Sequence, residues 1–387
     1  MRLDSGAGDQ KPGEGKIPYL DGLRALSILM VLTSHTVKLS ESMRAKWFVK
    51  IFFGVFGNGV LGVRIFFVIS GFLITSLLLE EMNTTGRISI SAFYKRRIAR
   101  IFPVFYLYIA TIAILTAFNV FHVSFLAFCA ASSFAWNFSR MWEHLGSLGN
   151  ADVLAHFWTL SIEEQFYLFW PSVLVLFGRR GAMRVALLCV VLFPVVRVAE
   201  YHSVLAADAG SLVHDDPAYV VYHEFSQDLI LWGALGAFAL RSEWFKQRAA
   251  RGFWWKALSA GMLILGAAEV ALRRFPDYTL TVSLESTVQA LGVLLVMFWL
   301  LAAEGGIVRR LLEARPVVQI GLLSYSLYVW QQLYVHWPGR SLVFPVTLLL
   351  IVVTAVASYY LVEVPARKRI RHWFSQLQPA HNNSLAV

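Results

Sequence analysis

The sequence predicts an all-α membrane protein, a polytopic bundle of about ten transmembrane helices with one further re-entrant or interfacial segment. Two observations carry this prediction. Hydrophobic residues make up 57% of the chain and charged residues only 15%, whereas charged residues make up about 25% of soluble domains. Apolar stretches of membrane-spanning length also recur along the chain between short connectors. A second large soluble domain is therefore excluded, and the expected surroundings are a lipid bilayer.

The apolar stretches divide the chain into its expected parts. The segments expected to cross lie near 19–37, 59–80, 101–121, 158–178, 183–201, 225–240, 254–272, 280–302, 317–336 and 340–362. Residues 17–371 form the predicted membrane domain. We expect 1–16 to be a disordered cytoplasmic N-terminus and 372–387 a cytoplasmic tail.

The basic connectors predict the orientation of the bundle. The connectors rich in lysine and arginine belong in the cytoplasm by the positive-inside rule, and they are 87–100, 179–184, 241–256, 309–315 and 367–371. The connector 202–224 is acidic and has neither lysine nor arginine, so it is expected outside. Both termini are then cytoplasmic. The formal net charge of +10 fits this topology better than a nucleic-acid groove, so no nucleic-acid partner is expected.

Two stretches, 122–138 and 38–58, do not fit this topology as a simple span and a simple connector. The eleventh apolar stretch, 122–138, lies between two connectors that are both expected inside, so it is predicted to be re-entrant or interfacial rather than a full crossing. The connector 38–58 is basic yet must lie outside. Its pattern "KWFVKIFFGVF" alternates basic and aromatic residues, which predicts an amphipathic helix on the membrane surface.

The first predicted span carries two residues that are costly in a membrane. Arg24 and His35 are eleven residues apart, which puts them within about 20° of the same helix face and about 16 Å apart along the axis. Ionisable residues in a span usually face a bundle interior or a wet cavity. The alternative is that Arg24 reaches lipid phosphates and His35 is an interfacial core residue.

The basic stretch "YKRRIARIFPVFY" places Arg97 and Arg100 three residues apart, on one side of a helix. An arginine fork matches phosphate geometry better than a lysine does. A phosphate-bearing ligand is thus as good an explanation of this pair as a positive-inside anchor. For Lys95 and Arg96 we favour the anchor.

The stretch "HFWTLSIEEQFYLFWP" carries two adjacent carboxylates, Glu163 and Glu164, at the start of an outer-side span. Ser161 and Glu164 have the spacing of a capping box, which would explain Glu164 structurally. Glu163 has no such explanation and could orient or activate an imidazole. His156 is expected to be a loop residue rather than a ligand. Asp228 is expected to form a structural ion pair with an arginine or histidine of the bundle.

No metal site is expected, because the histidines lack the H-E-x-x-H spacing and any other compact ligand cluster.

Six segments in order resemble the signature segments of the acyltransferase-3 family of integral-membrane, acyl-CoA-dependent acyltransferases, which includes O-antigen and exopolysaccharide acetylases. They are "LDGLRALSILMVLTSH" (20–35), "GVRIFFVISGFLIT" (62–75), "FYKRRIARIFPVFY" (93–106), "FWTLSIEEQFYLFWP" (157–171), "SYSLYVWQ" (324–331) and "SYYLVEVPARK" (358–368). Each motif alone is weak, but six in register are specific.

The resemblance implies transfer of an acyl group, usually acetyl, from cytoplasmic acyl-CoA to a hydroxyl of a surface polysaccharide or its lipid-linked precursor. Carried over by position, His35, Glu163 and Glu164 would be catalytic. Arg24, Arg97 and Arg100 would bind the acyl-CoA donor. The implied location is the bacterial inner membrane, and no permanently bound cofactor is implied.

The resemblance also has departures, and rival functions stay open. Many relatives place a histidine where this chain has Gln331, so no acid–base role is assigned there. The hydrolase-like extension that some relatives carry is not expected, since about fifteen residues follow Arg371. A transporter or flippase for an anionic solute or glycolipid would use the same charged residues differently. A membrane scaffold is the third function that the sequence allows. The sequence does not determine whether the acyl group is acetyl or succinyl, which molecule is the acceptor, or what the oligomeric state is.

Overall fold

The computed structural model of the protein contains helices and no β-strand in the residues that it describes. These are 18–37, 46–138, 141–142, 145–149, 151–208, 226–249, 253–274, 278–302, 306–338 and 344–376. The expected N-terminal segment 1–16, much of the acidic connector 202–224 and the end of the expected tail lie outside the described residues. The predicted helical bundle is confirmed.

In the described residues up to Asp208, the chain forms seven helices. They are α1 (Pro18–Thr36), α2 (Trp47–Phe56), α3 (Gly59–Thr85), α4 (Ile90–Ala117), α5 (Phe125–Ser132), α6 (Asp152–Ala155) and α7 (Phe157–Asp208). The second half forms α8 (Gln227–Leu240), α9 (Glu243–Ala249), α10 (Trp254–Arg274), α11 (Tyr278–Ala302), α12 (Ile307–Leu312), α13 (Arg315–Val335) and α14 (Phe344–Ser358). A π-helical turn (Tyr359–Glu363) then leads into α15 (Val364–Gln376).

Local capping explains where the helices that carry the site begin and end. The Asn58 side chain accepts a hydrogen bond from Leu61 N at the start of α3. The helix ends at Gly86, which adopts a left-handed conformation with a φ of 73°. In this cap the backbone N–H of Gly86 donates to Met82 O, one of the last carbonyls of the helix. Ser89 then caps α4 by accepting from Ala92 N. Helix α4 therefore begins at Ile90, well before the predicted span 101–121, and carries Arg97 and Arg100 within it.

Each segment that was expected to span lies on a helix. In the described part of the chain, five helices are long and apolar enough to cross a bilayer: Gly59–Thr85, Ile90–Ala117, Asp152–Ser203, Leu284–Ala302 and Phe344–Ile370. The total of ten crossings stays a prediction. Helix α5 has eight residues and is about 12 Å long. Because a bilayer core is about 30 Å thick, α5 by itself is too short to cross.

The expected connector 179–184 is not a loop, and that expectation was wrong. Helical structure continues through it as α7, with a single break at Gly178, where φ is 63° and ψ is −179°. That left-handed conformation is one that glycine adopts without steric cost. The chain thus changes direction at one residue, and the arginines that follow lie on helix rather than on a loop.

The bundle is held closely together by glycines at a helix crossing. A Cβ atom at Gly71 of α3 would lie 1.8 Å from the carbonyl oxygen of Ile230, and one at Gly233 of α8 would lie 2.0 Å from that of Val68. Small residues let membrane helices approach closely when apolar burial provides little driving force. Helices α3 and α8 are therefore packed backbone to backbone.

Two buried arginines connect the helices around α11. Arg64 of α3 donates to Glu285 and Gln289. Arg197 of α7 makes a double hydrogen bond to Asp228 of α8, at 2.6 and 3.0 Å, and both side chains are 0% exposed. The expected structural ion pair of Asp228 is confirmed, and its partner is Arg197.

Replacing Asp228 with alanine is expected to lower the free energy of unfolding by about 3 to 5 kcal/mol, because Arg197 would keep a buried, uncompensated charge. Thermal unfolding of purified protein in detergent measures the loss. The double variant Arg197→Met/Asp228→Leu should recover most of it. Glu81→Ala, which removes an exposed ion pair with Arg96 at 3.3 Å, is the control and should cost less than about 1 kcal/mol. Equal losses for Asp228→Ala and Glu81→Ala would contradict this account.

Candidate active site

Three arginines from two helices gather near the start of α1. Arg24 of α1 interacts electrostatically with Arg100, and Arg97 interacts with both. Arg24 forms an ion pair with Asp21 at 3.0 Å. The Arg97 guanidinium lies over the rings of Phe93 and Tyr167, at 5.7 and 5.0 Å from their centroids. We call Arg24, Arg97 and Arg100 the arginine cluster.

The arginine cluster is suited to hold an anion. Among the described residues, neither Arg97 nor Arg100 forms a hydrogen bond or an ion pair within 4 Å. Like charges gathered in a poorly solvated site repel one another, and a phosphate group would relieve that repulsion. Aromatic rings hold the Arg97 guanidinium in place without using its hydrogen-bond donors.

Glu163 and Glu164 lie beside the arginine cluster and not at the far end of the bundle with His35. Glu163 is 6% exposed, and its electrostatic neighbours are Arg100, Arg24 and Arg97, with the Ser70 hydroxyl next to it. Glu164 neighbours Glu163, Arg97 and Arg100. The expectation that the carboxylates accompany His35 was wrong. They stand two turns inside α7, about 10 Å from its first residue.

The predicted capping box at Ser161 was also wrong. Ser161 lies inside α7, where its hydroxyl donates to Phe157 O at 2.8 Å and accepts from Trp136 N at 3.1 Å. Its role is to tie α7 to the loop after α5. One carboxylate oxygen of each glutamate is buried without a hydrogen-bond partner in the described structure. A capping role therefore does not explain the presence of a glutamate at position 164.

His35 lies at the other end of α1, in the wall of a cavity of about 690 Å³. The cavity is lined by polar residues that include His156, Gln332, His336 and Asp152. Helix α2 contributes Phe53 and Gly54 to the same wall. The residues 47–56 thus form the predicted helix, and one of its faces borders this cavity. We call it the outer cavity, because His35 is predicted to lie toward the outer side of the membrane.

Gln331, not Glu163, orients the His35 ring. The two side chains are joined by a hydrogen bond of 3.1 Å between His35 Nδ1 and Gln331 Oε1, and Gln331 is 0% exposed. With the Gln331 amide oxygen turned toward the ring, as in this structure, Nδ1 carries the proton and Nε2 keeps its lone pair, because an amide oxygen can only accept. The sequence hypothesis of Glu163 polarising this imidazole is contradicted. A glutamine occupies the orienting position instead.

His156 is a loop residue, as expected, and it is buried. It occupies the single-residue turn between α6 and α7 and is 4% exposed. Its Nε2–H donates to Val329 O at 3.2 Å. Its ring lies 4.1 Å from that of Phe157 and 5.4 Å from that of Tyr328, whose hydroxyl donates to His156 O. No local sequence signal reports this burial.

A narrow void lies inside the bundle, between α1, α3, α7 and α13. Its volume is about 30 Å³, and its lining is mostly apolar and includes Ile28, Phe67 and Leu160, with Glu163 among the polar exceptions. Val31, Val63 and Tyr328 line both this void and the outer cavity. Glu163 in turn neighbours the arginine cluster. The void thus lies in the bundle interior between the outer cavity and Glu163, and no arginine of the cluster is among the described residues that line it.

Besides Gln331, the site contains residues for which the sequence predicted no role. Tyr167 lies under Arg97. Glu363, in the π-helical turn, accepts from Ser326 at 2.9 Å, pairs with Arg367 at 3.0 Å and interacts electrostatically with Arg100. Both residues fall inside segments that resemble the family's signatures, so those segments were the available signal.

The fold and the site together describe a multi-pass helical membrane protein with a cluster of arginines near one end of its first helix and a histidine-lined cavity at the other. The family described as "Acyltransferase domain" (acyltransferase 3) matches residues 17–363. The chain belongs to this acyltransferase family. The resemblance read from the six segments is therefore confirmed.

Three curated relatives illustrate the similarity. YrhL of Bacillus subtilis is 28% identical over 93% of this chain and 56% of its own length. The O-acetyltransferase OatA of Staphylococcus aureus is 24% identical over 91% of this chain and 57% of its own. The peptidoglycan O-acetyltransferase OatA of Listeria monocytogenes is 27% identical over 85% and 50%. The chain thus spans about half the length of these relatives. No solved structure matches it significantly.

Proposed function

We propose that the protein is an integral-membrane O-acyltransferase that moves an acyl group, acetyl in the first instance, from acyl-CoA to a hydroxyl of a carbohydrate. One observation carries the proposal. The arginine cluster and a partly buried histidine stand at opposite ends of α1, and a narrow void lies in the bundle interior between them. A reaction between a phosphate-bearing donor on one side and an acceptor on the other needs this arrangement. Family membership supports the type of reaction.

At the donor end, the arginine cluster binds the phosphates of coenzyme A. Guanidinium forks pair with phosphate oxygens in a bidentate manner. This end faces the cytoplasm, in keeping with the positive-inside rule, and the membrane is the bacterial inner membrane. Acyl-CoA acts as a substrate, and the protein needs no resident cofactor.

Between the two ends, the acyl thioester passes along the narrow void toward His35. A volume of about 30 Å³ is the share of one water molecule in the liquid, so neighbouring side chains such as Tyr328 must move for the thioester to pass. An apolar passage suits a neutral thioester and excludes ions. Glu163 lines this void and has the three arginines as electrostatic neighbours, and its role is to limit the positive charge around the thioester.

At the acceptor end, His35 acts through Nε2 by one of two routes. In the covalent route, Nε2 attacks the thioester carbonyl carbon, the C–S bond breaks and the thiolate of coenzyme A leaves. The acceptor hydroxyl oxygen then attacks the acyl carbon, the C–N bond to His35 breaks, and the hydroxyl proton passes through Nε2 to the thiolate. In the direct route, Nε2 removes the proton from the acceptor hydroxyl as its oxygen attacks the same carbon, the C–S bond breaks, and the thiolate of coenzyme A leaves and takes the proton from Nε2. Gln331 keeps the proton on Nδ1 in both routes.

The acceptor is a carbohydrate of the cell surface. The names of all three relatives describe O-acetyltransferases, and the names of the Bacillus and Listeria proteins specify peptidoglycan. A glycan strand or a lipid-linked precursor would reach the outer cavity from the membrane surface. Peptidoglycan is therefore the first acceptor to test, with another surface polysaccharide as the alternative.

Reconstitution in lipid vesicles tests the function directly. Vesicles that hold the protein are given acetyl-CoA with a labelled acetyl group on the side of the arginine cluster and a soluble glycan on the other side. Labelled glycan ester is the expected product, and the His35→Ala variant should yield none. Movement of glycan or of a small anion across the vesicle membrane without consumption of acetyl-CoA would favour the transporter alternative and overturn the proposal.

A further inference from the structure

Glu363, in the π-helical turn, lies near Arg100 of the arginine cluster. It accepts a hydrogen bond from the Ser326 hydroxyl at 2.9 Å. The preceding residue of α13 is a tyrosine whose hydroxyl donates to Ile101 O at 2.8 Å, directly after Arg100. Two adjacent residues of α13 therefore fix the π-helical turn against α4, and Glu363 and Arg100 interact electrostatically.

The same carboxylate holds a fourth arginine near the cluster. Arg367 of α15 pairs with Glu363 at 3.0 Å, and its guanidinium lies 5.5 Å from the centroid of the Tyr359 ring. Helix α15 packs against α4, which carries Arg97 and Arg100. All three arginines lie in basic stretches that are expected on the cytoplasmic side. Arg367 is thus placed at the donor end of the protein.

The guanidinium of Arg367 is open to a ligand. The Arg367 side chain is 29% exposed, whereas that of Glu363 is 2% exposed. In the described structure, none of its nitrogens is a polar atom that is both shielded from solvent and without a partner. Its ion pair is made through Nη2, and a guanidinium has five N–H donors. Donors beyond those of the ion pair are therefore accessible to an anion.

The covalent structure of coenzyme A determines which phosphate lies closest to Arg367. The thioester and the ribose 3′-phosphate are on opposite sides of the diphosphate. When the arginine cluster binds the diphosphate and the thioester arm points into the bundle, the 3′-phosphate lies on the cytoplasmic side of the cluster. Arg367 stands toward that side, one helical turn or about 6 Å beyond the buried Glu363. The two residues that follow it are exposed.

We propose that Arg367 binds the 3′-phosphate of the acyl-CoA donor and makes the enzyme prefer coenzyme A over donors that lack this phosphate. This inference rests on the proposed function and deepens it. A guanidinium fork matches the spacing of two phosphate oxygens. Glu363 and the Tyr359 ring hold the guanidinium in place, and its remaining N–H groups donate to the 3′-phosphate.

Acetyl-dephospho-CoA, which lacks only the 3′-phosphate, tests the subsite. Initial rates of acetyl transfer to a soluble glycan, in vesicles of phosphatidylcholine, give KM for this donor and for acetyl-CoA. The wild type should have a KM for acetyl-dephospho-CoA roughly 10-fold above that for acetyl-CoA, because a charge-assisted contact is lost. Arg367→Gln should raise KM for acetyl-CoA by the same factor and leave KM for acetyl-dephospho-CoA unchanged. The preference for acetyl-CoA then disappears.

Three further variants separate the phosphate contact from the ion pair. Glu363→Gln removes the ion pair but keeps Arg367, so it should keep the preference for acetyl-CoA. Glu363→Gln/Arg367→Gln leaves no uncompensated buried charge and should lose the preference, even if Arg367→Gln alone fails to fold. Arg369→Gln is the matched control and should behave as the wild type, because Arg369 is exposed and lies about 200° around α15 from Arg367. Thermal unfolding shows which variants are folded.

The outcomes separate the subsite from the proposed function. A preference for acetyl-CoA that survives without Arg367, or a KM that rises equally for both donors, would overturn the subsite. An effect of Arg367→Gln that appears only in vesicles with anionic phosphatidylglycerol would also overturn it, since lipid headgroups would then be the ligand. A wild type that transfers acetyl from neither donor to any glycan would instead overturn the proposed function.

Discussion

Replacing His35 with alanine is expected to lower acyl transfer by roughly 1000-fold, with little change in stability. The imidazole supplies either the nucleophile or the general base, and acid–base catalysis alone contributes about 100- to 10,000-fold. His35 is only partly buried and makes one side-chain hydrogen bond, to Gln331. Its removal therefore leaves the packing of α1 against α3 and α13 intact. The rate of labelled acetyl transfer to glycan in vesicles measures the effect.

An exposed histidine elsewhere in the chain provides the control. His122 lies in the turn before α5 and is solvent-exposed, so His122→Ala should transfer acetyl at the wild-type rate. Incubation with labelled acetyl-CoA and no acceptor then separates the two routes. Label retained on the wild type and absent from His35→Ala supports the covalent route, and no label on either supports direct transfer. A His35→Ala protein that transfers acetyl at more than a tenth of the wild-type rate would contradict a catalytic role.

Removing the charges of Arg97 and Arg100 together is expected to raise KM for acetyl-CoA by about 100-fold. Each charge-assisted hydrogen bond contributes about 1.5 to 3 kcal/mol, and two of them at the low end give this factor. Arg97→Gln/Arg100→Gln keeps side-chain length and polarity. Initial rates over a range of acetyl-CoA concentrations measure KM and kcat separately. Arg97→Lys should have a smaller effect, because it keeps the charge but loses the planar fork.

Arg96 is the matched control for this prediction, because it lies on the same helix beside Arg97. Its side chain is 46% exposed and forms an ion pair with Glu81, so Arg96→Gln should leave KM for acetyl-CoA unchanged.

A second comparison uses acetyl-pantetheine, which lacks all the coenzyme A nucleotide phosphates. The wild type should prefer acetyl-CoA strongly, and the double variant should lose most of that preference. A preference that survives undiminished in the double variant would refute phosphate binding at Arg97 and Arg100.

The sequence predicted those features that depend on local geometry. The regular α1 holds Arg24 and His35 on one helix, as the spacing of eleven residues required. Arg97 and Arg100 lie three residues apart on α4 for the same reason. The arginine cluster could be anticipated in part, because both helices carry arginine near the same expected side of the membrane. Helical periodicity and charge distribution were sufficient for these conclusions.

The partners across the bundle could not be predicted, because they depend on how helices pack. Gln331 meets His35 from 296 positions away in the chain, and its position in the signature segment did not show that it contacts His35. Glu163 was expected near His35 because α7 begins on that side. Yet each helical residue advances about 1.5 Å, and six residues into α7 its side chain already neighbours Arg24 and Arg100.

By itself the sequence determined that this is a helical membrane protein of the acyltransferase family, with arginines at one end of the first helix and a histidine at the other. The tertiary structure alone decided which groups surround them: glutamine at His35, glutamates at the arginines, and His156 with Gln332 in the cavity wall. The physical reason is that composition and periodicity fix the helices and the faces they present. The rotation and depth of one helix against the next follow from close packing, as at Gly71 and Gly233, which no single segment encodes.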